Sequence, residues 1–235
     1  MAIMQLQSGV VIHTRAYGDT SLLVELFSQE LGRVGLIARG ARGPRSRYRS
    51  LLQPFQPLLL NWRGRGELKT LAETEADGPP WGLRGDALLC GYYLNELVMR
   101  LLPREDPAGV VYQNYIVALA ALGAGQAIEP IMRVFEKRML EAMGLGLVLD
   151  QDQLGQPLQT DQLYHYQFEQ GPVLNSAEGW AISGQALLAI GAEHFDSPAI
   201  LAEVKGLMRR VLREYLGTGP LRSREVWQQL RRPLH

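Results

Sequence analysis

The sequence predicts an α+β protein in which a small five-stranded barrel precedes a mainly helical region. In the first 77 residues, short apolar runs alternate with glycine- and proline-rich stretches, and several runs show the period of two that is typical of half-buried strands. Gly78, Pro79 and Pro80 then interrupt strands and helices alike. After this break, apolar residues recur with the 3.6-residue period of amphipathic helices.

Five strands are expected before the break. The predicted strands cover residues 9–14, 21–27, 33–38, 57–62 and 66–73. Five short strands in fewer than 80 residues, with turn residues between them, indicate a small antiparallel barrel. Their order alone does not distinguish an OB-type barrel from an SH3-like one.

The helices predicted beyond the break have recognisable ends, such as Pro103 and Gly144 after two of them and the Ser197-Pro198 cap before the longest. The predicted helices cover residues 83–102, 107–123, 128–143, 197–216 and 223–230, and a helical pattern also begins at residue 183. Residues 150–183 lose the helical period, and two short runs within them could pair as a hairpin. The predicted domains are therefore residues 1–78 and 79–235, the second with an irregular insert at 150–183.

Charge is unevenly distributed along the chain. The 24 Lys and Arg residues balance the 24 Asp and Glu residues, for a formal net charge of zero. Residues 1–77 nevertheless carry +3, residues 78–199 carry −8 and residues 200–235 carry +5. A neutral chain with this distribution can present a locally basic surface to a polyanion.

Several classes of protein are disfavoured. No apolar run is long enough for a membrane helix, and the N-terminal residues lack the pattern of a secretory signal, so a cytoplasmic location is expected. Cys90 is the sole cysteine, which excludes an internal disulfide and a thiolate metal cluster. The common nucleophile and phosphate-loop motifs are absent, so the sequence predicts neither an enzyme nor a cofactor.

The strongest local signal is an arginine-rich loop over residues 39–49. Its five arginines alternate with small and turn residues, so they cannot all enter a core. Arginine binds phosphate oxygens in a fork, and a nearby tyrosine could stack on a base. A second basic group follows at the turn between the last two strands, and the alternative for both is a solvated surface. The predicted nucleic-acid contacts here are Arg33, Arg39, Arg42, Arg45, Arg47, Tyr48, Arg49, Arg63, Arg65 and Lys69.

Two helices carry further cations. Lys205, Arg209 and Arg213, spaced by four on the long helix, could extend the path for phosphates or form a solvated flank. On the helix over 128–143, three cations border apolar side chains and could receive a hydrophobic acidic peptide, although ordinary helix packing explains them too. These predicted peptide contacts are Arg133, Lys137 and Arg138.

Asp150 and Asp152 suggest two metal-dependent alternatives. The segment that they begin partly mimics a calcium loop, but it has Leu154 and Pro157 where such a loop needs other residues. A nuclease that uses the two carboxylates with Mg²⁺ or Mn²⁺ is a further hypothesis, which the absence of DNA cleavage would exclude. No metal site is predicted.

Several segments, taken in order, resemble the RecO family of bacterial recombination mediator proteins over nearly the whole chain. The matching segments are Tyr17–Val24, Gly32–Val34, Ala38–Arg42, Leu52–Phe55, Gly64–Leu71, Tyr93–Leu97, Arg133–Glu136 and Leu221–Glu225. The resemblance implies an N-terminal OB-fold that binds DNA, followed by a helical domain. It also implies that the protein acts without catalytic turnover.

The same resemblance implies specific partners. Family members bind single- and double-stranded DNA, anneal complementary strands and help to load the RecA recombinase onto strands coated by single-strand-binding protein. They work with RecR, and some bind the acidic C-terminal tail of single-strand-binding protein near the position of Arg133. A DNA-binding role also implies that the protein is located at the nucleoid. The alternative is an adaptor that bridges single-strand-binding protein and RecR, with incidental affinity for DNA.

One departure from the family pattern concerns zinc. Many members bind zinc through two Cys-x-x-Cys pairs, and the corresponding positions here are Asp152 with Gly155 and Asn175 with Glu178. With all four thiolates replaced, zinc is not expected. Packing and hydrogen bonds must hold this segment instead.

Overall fold

A computed structural model describes residues 6–217 and 219–230. The chain divides into two compact units, of which the first is Met1–Gly125 with Pro220–His235 and the second is Gln126–Gly219. The division at residues 78 and 79 that the sequence suggests stays a prediction.

The first unit contains a closed five-stranded barrel. Its elements are β1 (Gln7–Tyr17), β2 (Ser21–Ser28), β3 (Gly32–Ala38), the one-turn helix α1 (Tyr48–Leu51), β4 (Pro57–Arg63) and β5 (Leu68–Ala76). The strand order is β1-β2-β3-β5-β4, closed by the pairing of β1 with β4. β3 and β5 are parallel, whereas the other neighbours are antiparallel. This is OB-fold topology, which confirms the predicted fold class and removes the SH3-like alternative.

The barrel interior explains the period of two in the sequence. Alternate side chains of β2, β3 and β4 point inward, and α1 and its flanks close the core. The buried core residues of these elements include Val24, Leu26, Val34, Leu36, Leu52, Leu58, Leu60 and Trp62.

The helices of the same unit are α2 (Gly85–Leu101), α3 (Gly109–Gly123) and α7 (Arg222–Leu230). α2 contacts β1, and α3 packs on the outer face of β2. Phe27, fully buried on β2, packs edge-to-face on Tyr112 and Tyr115 with ring centroids 5.3 and 5.6 Å apart.

A buried polar contact joins α2 to the barrel. The Asn95 side-chain amide donates to the Ile12 carbonyl over 2.9 Å, and its oxygen accepts from the Tyr115 hydroxyl over 2.6 Å. Both Asn95 and Tyr115 are buried, so these hydrogen bonds satisfy groups that would otherwise be costly to bury. The barrel and these helices therefore share one packed interior.

The second unit combines helices with a small sheet. Its elements are α4 (Ile128–Ala142), β6 (Leu163–Gln167), β7 (Gly171–Leu174), β8 (Trp180–Ser183), α5 (Gly184–Ala192) and α6 (Pro198–Leu216). The sheet order is β7-β6-β8, and α4 and α5 both contact α6. β6 and β7 form the hairpin that the sequence suggested, and β8, which the sequence analysis did not predict, pairs with the other edge of β6.

Side-chain caps begin two helices of this unit. The hydroxyl of Ser183 accepts from Ala186 N over 3.1 Å, and that of Ser197 accepts from Ile200 N over 3.3 Å. Because the first amides of a helix lack internal partners, these serines satisfy donors that would otherwise be unpaired.

Candidate nucleic-acid interface

The arginine-rich loop joins β3 to β4 and presents its charges to solvent. Ala41 and Leu52 enter the barrel core and anchor the loop at both ends. Arg42 fixes it further, because its amide donates to Thr20 O over 2.7 Å and its Nη1 donates to Gly18 O over 3.1 Å. The exposed loop arginines are Arg39, Arg42, Arg45, Arg47 and Arg49. They form a basic surface held against the β1–β2 turn.

Tyr48 is half-buried at the start of α1 and packs against the barrel core. The Arg47 guanidinium lies 5.2 Å from the centre of its ring, and Arg47 Nη2 donates to its hydroxyl over 3.4 Å. This hydrogen bond is the main cause that raises the pKa of Arg47, and Glu73 adds a smaller contribution. A base that stacked on this ring face would have to displace Arg47.

The second basic group, Arg63 and Arg65, is exposed at the β4–β5 turn. Leu68, the first residue of β5, pairs with Gly35 in the parallel β3–β5 ladder. The turn therefore lies towards the start of β3, whereas the arginine-rich loop leaves from its end. The structure places the two basic groups at opposite ends of this strand pair and does not bring them together at one rim.

Arg33 is turned towards the fold rather than towards solvent. Its Nη1 donates to Met99 O over 2.5 Å and to Leu102 O over 2.6 Å, and its Nη2 lies 3.5 Å from a Glu25 carboxylate oxygen. Burial lowers the pKa of the Arg33 guanidinium, and the Glu25 carboxylate opposes that change. Arg104 also pairs with Glu25. These contacts join β2 and β3 to the end of α2.

Lys69 has a similar role on β5. It is 8% exposed, and its ammonium pairs with the carboxylate of Glu105 in the segment between α2 and α3. The charged groups of Arg33 and Lys69 are thus paired within the fold, whereas the loop arginines are exposed to solvent.

Comparison with known proteins matches the N-terminal part of the chain, residues 1–78, to the family model of recombination protein O, N terminal. Residues 83–225 match the family model of recombination protein O, C terminal. The chain belongs to the RecO family.

Relatives in the RecO family are similar over almost their full length. The DNA repair protein RecO of Nitrosococcus oceani is 44% identical over 231 residues, which cover 97% of this chain and 94% of the relative. That of Azoarcus sp. is 44% identical over 231 residues, covering 95% of each chain. That of Coxiella burnetii is 43% identical over 224 residues, covering 94% of this chain and 96% of the relative.

Of the cations predicted on the long helix, Lys205 pairs with Glu129 of α4 over 2.5 Å. Arg209 and Arg213 lie on α6 with exposed side chains. The described helices include none that is long and apolar enough to cross a membrane.

Each of the three cations predicted to bind a peptide has a carboxylate partner within the second unit. Arg133, 6% exposed, lies 2.8 Å from the buried carboxylate of Glu136. Lys137 pairs with Glu193 over 3.1 Å, and Arg138 Nε donates to the same carboxylate over 2.9 Å. These contacts, Arg138 first and Lys137 second, hold the pKa of Glu193 below its ordinary value.

Hydrogen bonds hold the two turns at residues 152–155 and 175–178, where the resemblance led us to compare this chain with paired cysteines. Asp152 Oδ1 accepts from Leu154 N over 2.8 Å and from Gln156 N over 2.9 Å. In the second turn, Ser176 Oγ accepts from Glu178 N over 3.0 Å. Within residues 6–217 and 219–230, no three His, Cys, Asp or Glu side chains are grouped so as to hold a metal ion.

Sequence reasoning missed two exposed residues beside the arginine-rich loop, Arg15 and Tyr17 at the end of β1. The signal was present in the alternation of His13, Arg15 and Tyr17. A bulge between Val11 and His13 shifts the register of β1, so the alternation before the bulge does not predict which residues after it point outward.

Proposed function

We propose that this RecO-family chain is a non-enzymatic mediator of DNA repair and recombination at the nucleoid in the cytoplasm. It binds single- and double-stranded DNA, anneals complementary strands and, with RecR, helps to load RecA onto strands coated by single-strand-binding protein. Its relatives are named DNA repair proteins, which supports this role. The observation that carries the proposal is the set of five exposed arginines on one anchored loop.

The chemistry of annealing follows from charge neutralisation. Two DNA strands repel each other through their phosphates, and guanidinium forks on one surface reduce that repulsion while they hold the strands close. The β2–β3 face, where many OB-folds bind oligonucleotides, carries Phe27 packed under α3 and Glu25 paired with two arginines. DNA therefore meets the loop surface rather than this face.

The decisive experiment measures single-strand binding and annealing as a function of salt. Replacing Arg42, Arg45 and Arg47 together by Ala removes three phosphate contacts. The slope of log K against log salt should become shallower by about 2, since each contact contributes about 0.7 on single strands. Annealing should slow in parallel.

A matched control removes the same charge elsewhere in the first unit. Arg84, Arg222 and Arg224 are exposed outside the loop, and their joint replacement by Ala should preserve most of the salt slope. Equal losses in both triple variants, or wild-type binding that is independent of salt, would contradict the assignment to the loop.

A second candidate function, as an adaptor for an acidic peptide, is favoured by one observation. Arg133 is nearly buried on α4, as are its neighbours in sequence Met132 and Phe135. In the described part of the chain, the Arg133 Nε has no hydrogen-bond partner. A buried guanidinium beside apolar side chains suits a peptide carboxylate. The expected ligand is the acidic tail of single-strand-binding protein.

Calorimetry with an acidic, Phe-ended peptide tests this adaptor function. Arg133→Ala should abolish binding and leave the annealing of naked strands intact. Glu193→Gln should tighten binding, because it frees Lys137 and Arg138 from a competing carboxylate. Unchanged affinity in both variants rejects the site, and annealing with single-strand-binding protein that lacks its tail separates the DNA function from the partner function.

A further inference from the structure

Tyr17 differs from the other aromatic residues of the barrel. Phe27, Phe55 and Trp62 are at most 5% exposed, and Tyr48 is half-buried under Arg47. Tyr17, at the end of β1, is 45% exposed. Among the Phe, Tyr and Trp residues of the described barrel, residues 6–78, Tyr17 alone is exposed to solvent.

Two further exposed side chains share the face of Tyr17. Thr14 pairs with Val24, which points into the core, so Thr14 also faces inward. The residues on the opposite face of β1, His13, Arg15 and Tyr17, therefore point outward, and all three are exposed. Same-face residues on a strand are about 7 Å apart. The end of β1 thus carries an exposed row of an imidazole, a guanidinium and a phenol ring.

The arginine-rich loop is continuous with this row. Arg42 Nη1 donates to Gly18 O over 3.1 Å, and Gly18 follows Tyr17 directly in the chain. The Arg42 amide is also bonded to Thr20 O, so the loop and the β1–β2 turn are fixed to each other. Arg42 is therefore bonded to the residue that follows Tyr17, and a nucleic-acid strand that passes over the turn can meet both side chains.

We propose that Tyr17, Arg15 and Arg42 form a site specific for single-stranded nucleic acid. An unpaired base stacks on the Tyr17 ring, and the adjoining phosphates bind Arg15 and Arg42. A base in a duplex already has both faces stacked and cannot use Tyr17, so a duplex gains only the phosphate contacts. Asp19, exposed on the same turn, opposes phosphate binding by either form. The inference rests on the proposed DNA binding and adds how the surface distinguishes single from double strands.

Fluorescence anisotropy with a labelled oligothymidine and a blunt duplex of the same length tests the proposal. Tyr17→Ala should weaken single-strand binding about tenfold, the size expected for one base–aromatic stack, and change duplex binding less than twofold. Tyr17→Phe retains the ring and should bind like the wild type. Equal losses on strand and duplex would overturn the proposal.

A second measurement compares two ligands on the wild-type protein, so its main outcome does not depend on the folding of a variant. A strand whose bases are replaced by abasic sites should bind about tenfold more weakly than oligothymidine, and Tyr17→Ala should not distinguish the two. Wild-type binding that is indifferent to abasic sites overturns the stacking site.

The failure of the stacking site can be told apart from the failure of the proposed function. If the stacking site is overturned but the Arg42, Arg45 and Arg47 triple variant loses affinity, the proposed function stands. If that variant also binds normally, the proposed function fails as well.

Discussion

Arg33 shows how a cation in a basic segment can serve the fold. Its neighbours in sequence suggest a DNA contact, yet its guanidinium bonds two carbonyls at the end of α2 and pairs with Glu25. Those carbonyls have no partner within their own helix, so Arg33 caps α2 from the barrel. Glu25 is 5% exposed, and its charge needs both arginines that approach it.

Replacing Arg33 by Ala should therefore destabilise the protein by about 3 kcal/mol, because a buried carboxylate loses a partner and two carbonyls lose their donor. Urea unfolding of the whole chain measures this loss. Arg65→Ala, which removes an exposed arginine, should change stability by less than about 0.5 kcal/mol. Similar midpoints for both variants would assign Arg33 to the surface instead.

Glu193 makes one part of the stability dependent on pH. Its pKa is lowered from the ordinary value of 4.5, chiefly by Arg138, so the folded state favours the charged form. The stabilisation is then complete above the pKa of the unfolded chain and is lost as the pH falls through the lower folded value. Wild type should exceed Glu193→Gln in stability at pH 7, and the gap should close below about pH 4.5.

Thermal unfolding between pH 7 and pH 3 provides the measurement for Glu193. Glu178→Gln, which changes an exposed glutamate of the same unit, is the control and should track the wild type. A gap between wild type and Glu193→Gln that stays constant across this range would show that the pairs with Lys137 and Arg138 do not form in solution.

At the scale of elements, the β2–β3 turn depends on Gly32. Its φ of +66° lies in the left-handed region, and a side chain there would overlap the carbonyl oxygen of Asp106, between α2 and α3. This close approach lets the turn lie against the segment that carries Glu105, the partner of Lys69.

Gly32→Ala should consequently cost about 3 kcal/mol, from backbone strain together with steric overlap. Gly40→Ala isolates the strain, because Gly40 has a φ of +67° but open space around it, and should cost about 1 kcal/mol. Chemical denaturation of both variants measures the difference. Equal costs would mean that the Asp106 segment moves away freely.

The turn at Asp152 shows how hydrogen bonds hold an irregular segment in shape. One carboxylate oxygen accepts two backbone amides, which are the groups that a tight turn leaves without partners. Gln153 N also donates to Pro172 O over 3.0 Å and ties this turn to the β6–β7 hairpin. These hydrogen bonds join the turn to the hairpin and fix the shape of both.

For the whole molecule, the barrel and its covering helices behave as one unit. Phe27 and Leu23 on the outer face of β2 are buried, and Phe27 packs on α3. A fragment that ends at residue 78 lacks α3 and would expose Phe27. A fragment that ends at residue 125 retains α3, which covers Phe27.

We expect the fragment 1–125 to unfold cooperatively, and at a higher urea concentration than the fragment 1–78, because it keeps the apolar surface of β2 out of water. The shorter fragment should also bind a hydrophobic dye. Equal urea midpoints for the two fragments would support the boundary at residue 78 as the limit of an independent domain.

The sequence predicted most elements for clear reasons. Alternating apolar residues in β2 and β4, and the Ser197-Pro198 cap of α6, are local signals that need no tertiary information. The elements α1 and β8, with four residues each, were missed because so short a segment has little periodicity. The equally short β7 was found because Gly171 and Pro172 mark a turn at its start. The β1 bulge hid the outward row that ends at Tyr17.

By itself, the sequence determined a five-stranded barrel followed by helices, the break at residues 78–80 and the concentration of arginines in one loop, because periodicity, turn residues and charge are local properties of the chain. The strand order and the parallel β3–β5 pair, which distinguish the OB-fold from an SH3-like barrel, came from the tertiary structure. Only the tertiary structure decided which cations face solvent. Arg33 and Lys69 resemble Arg42 and Arg45 in sequence, yet the first two are covered by a distant segment that supplies carbonyls and carboxylates. Burial and pairing depend on what packs against a strand, and residues between 36 and 69 positions away provide that contact.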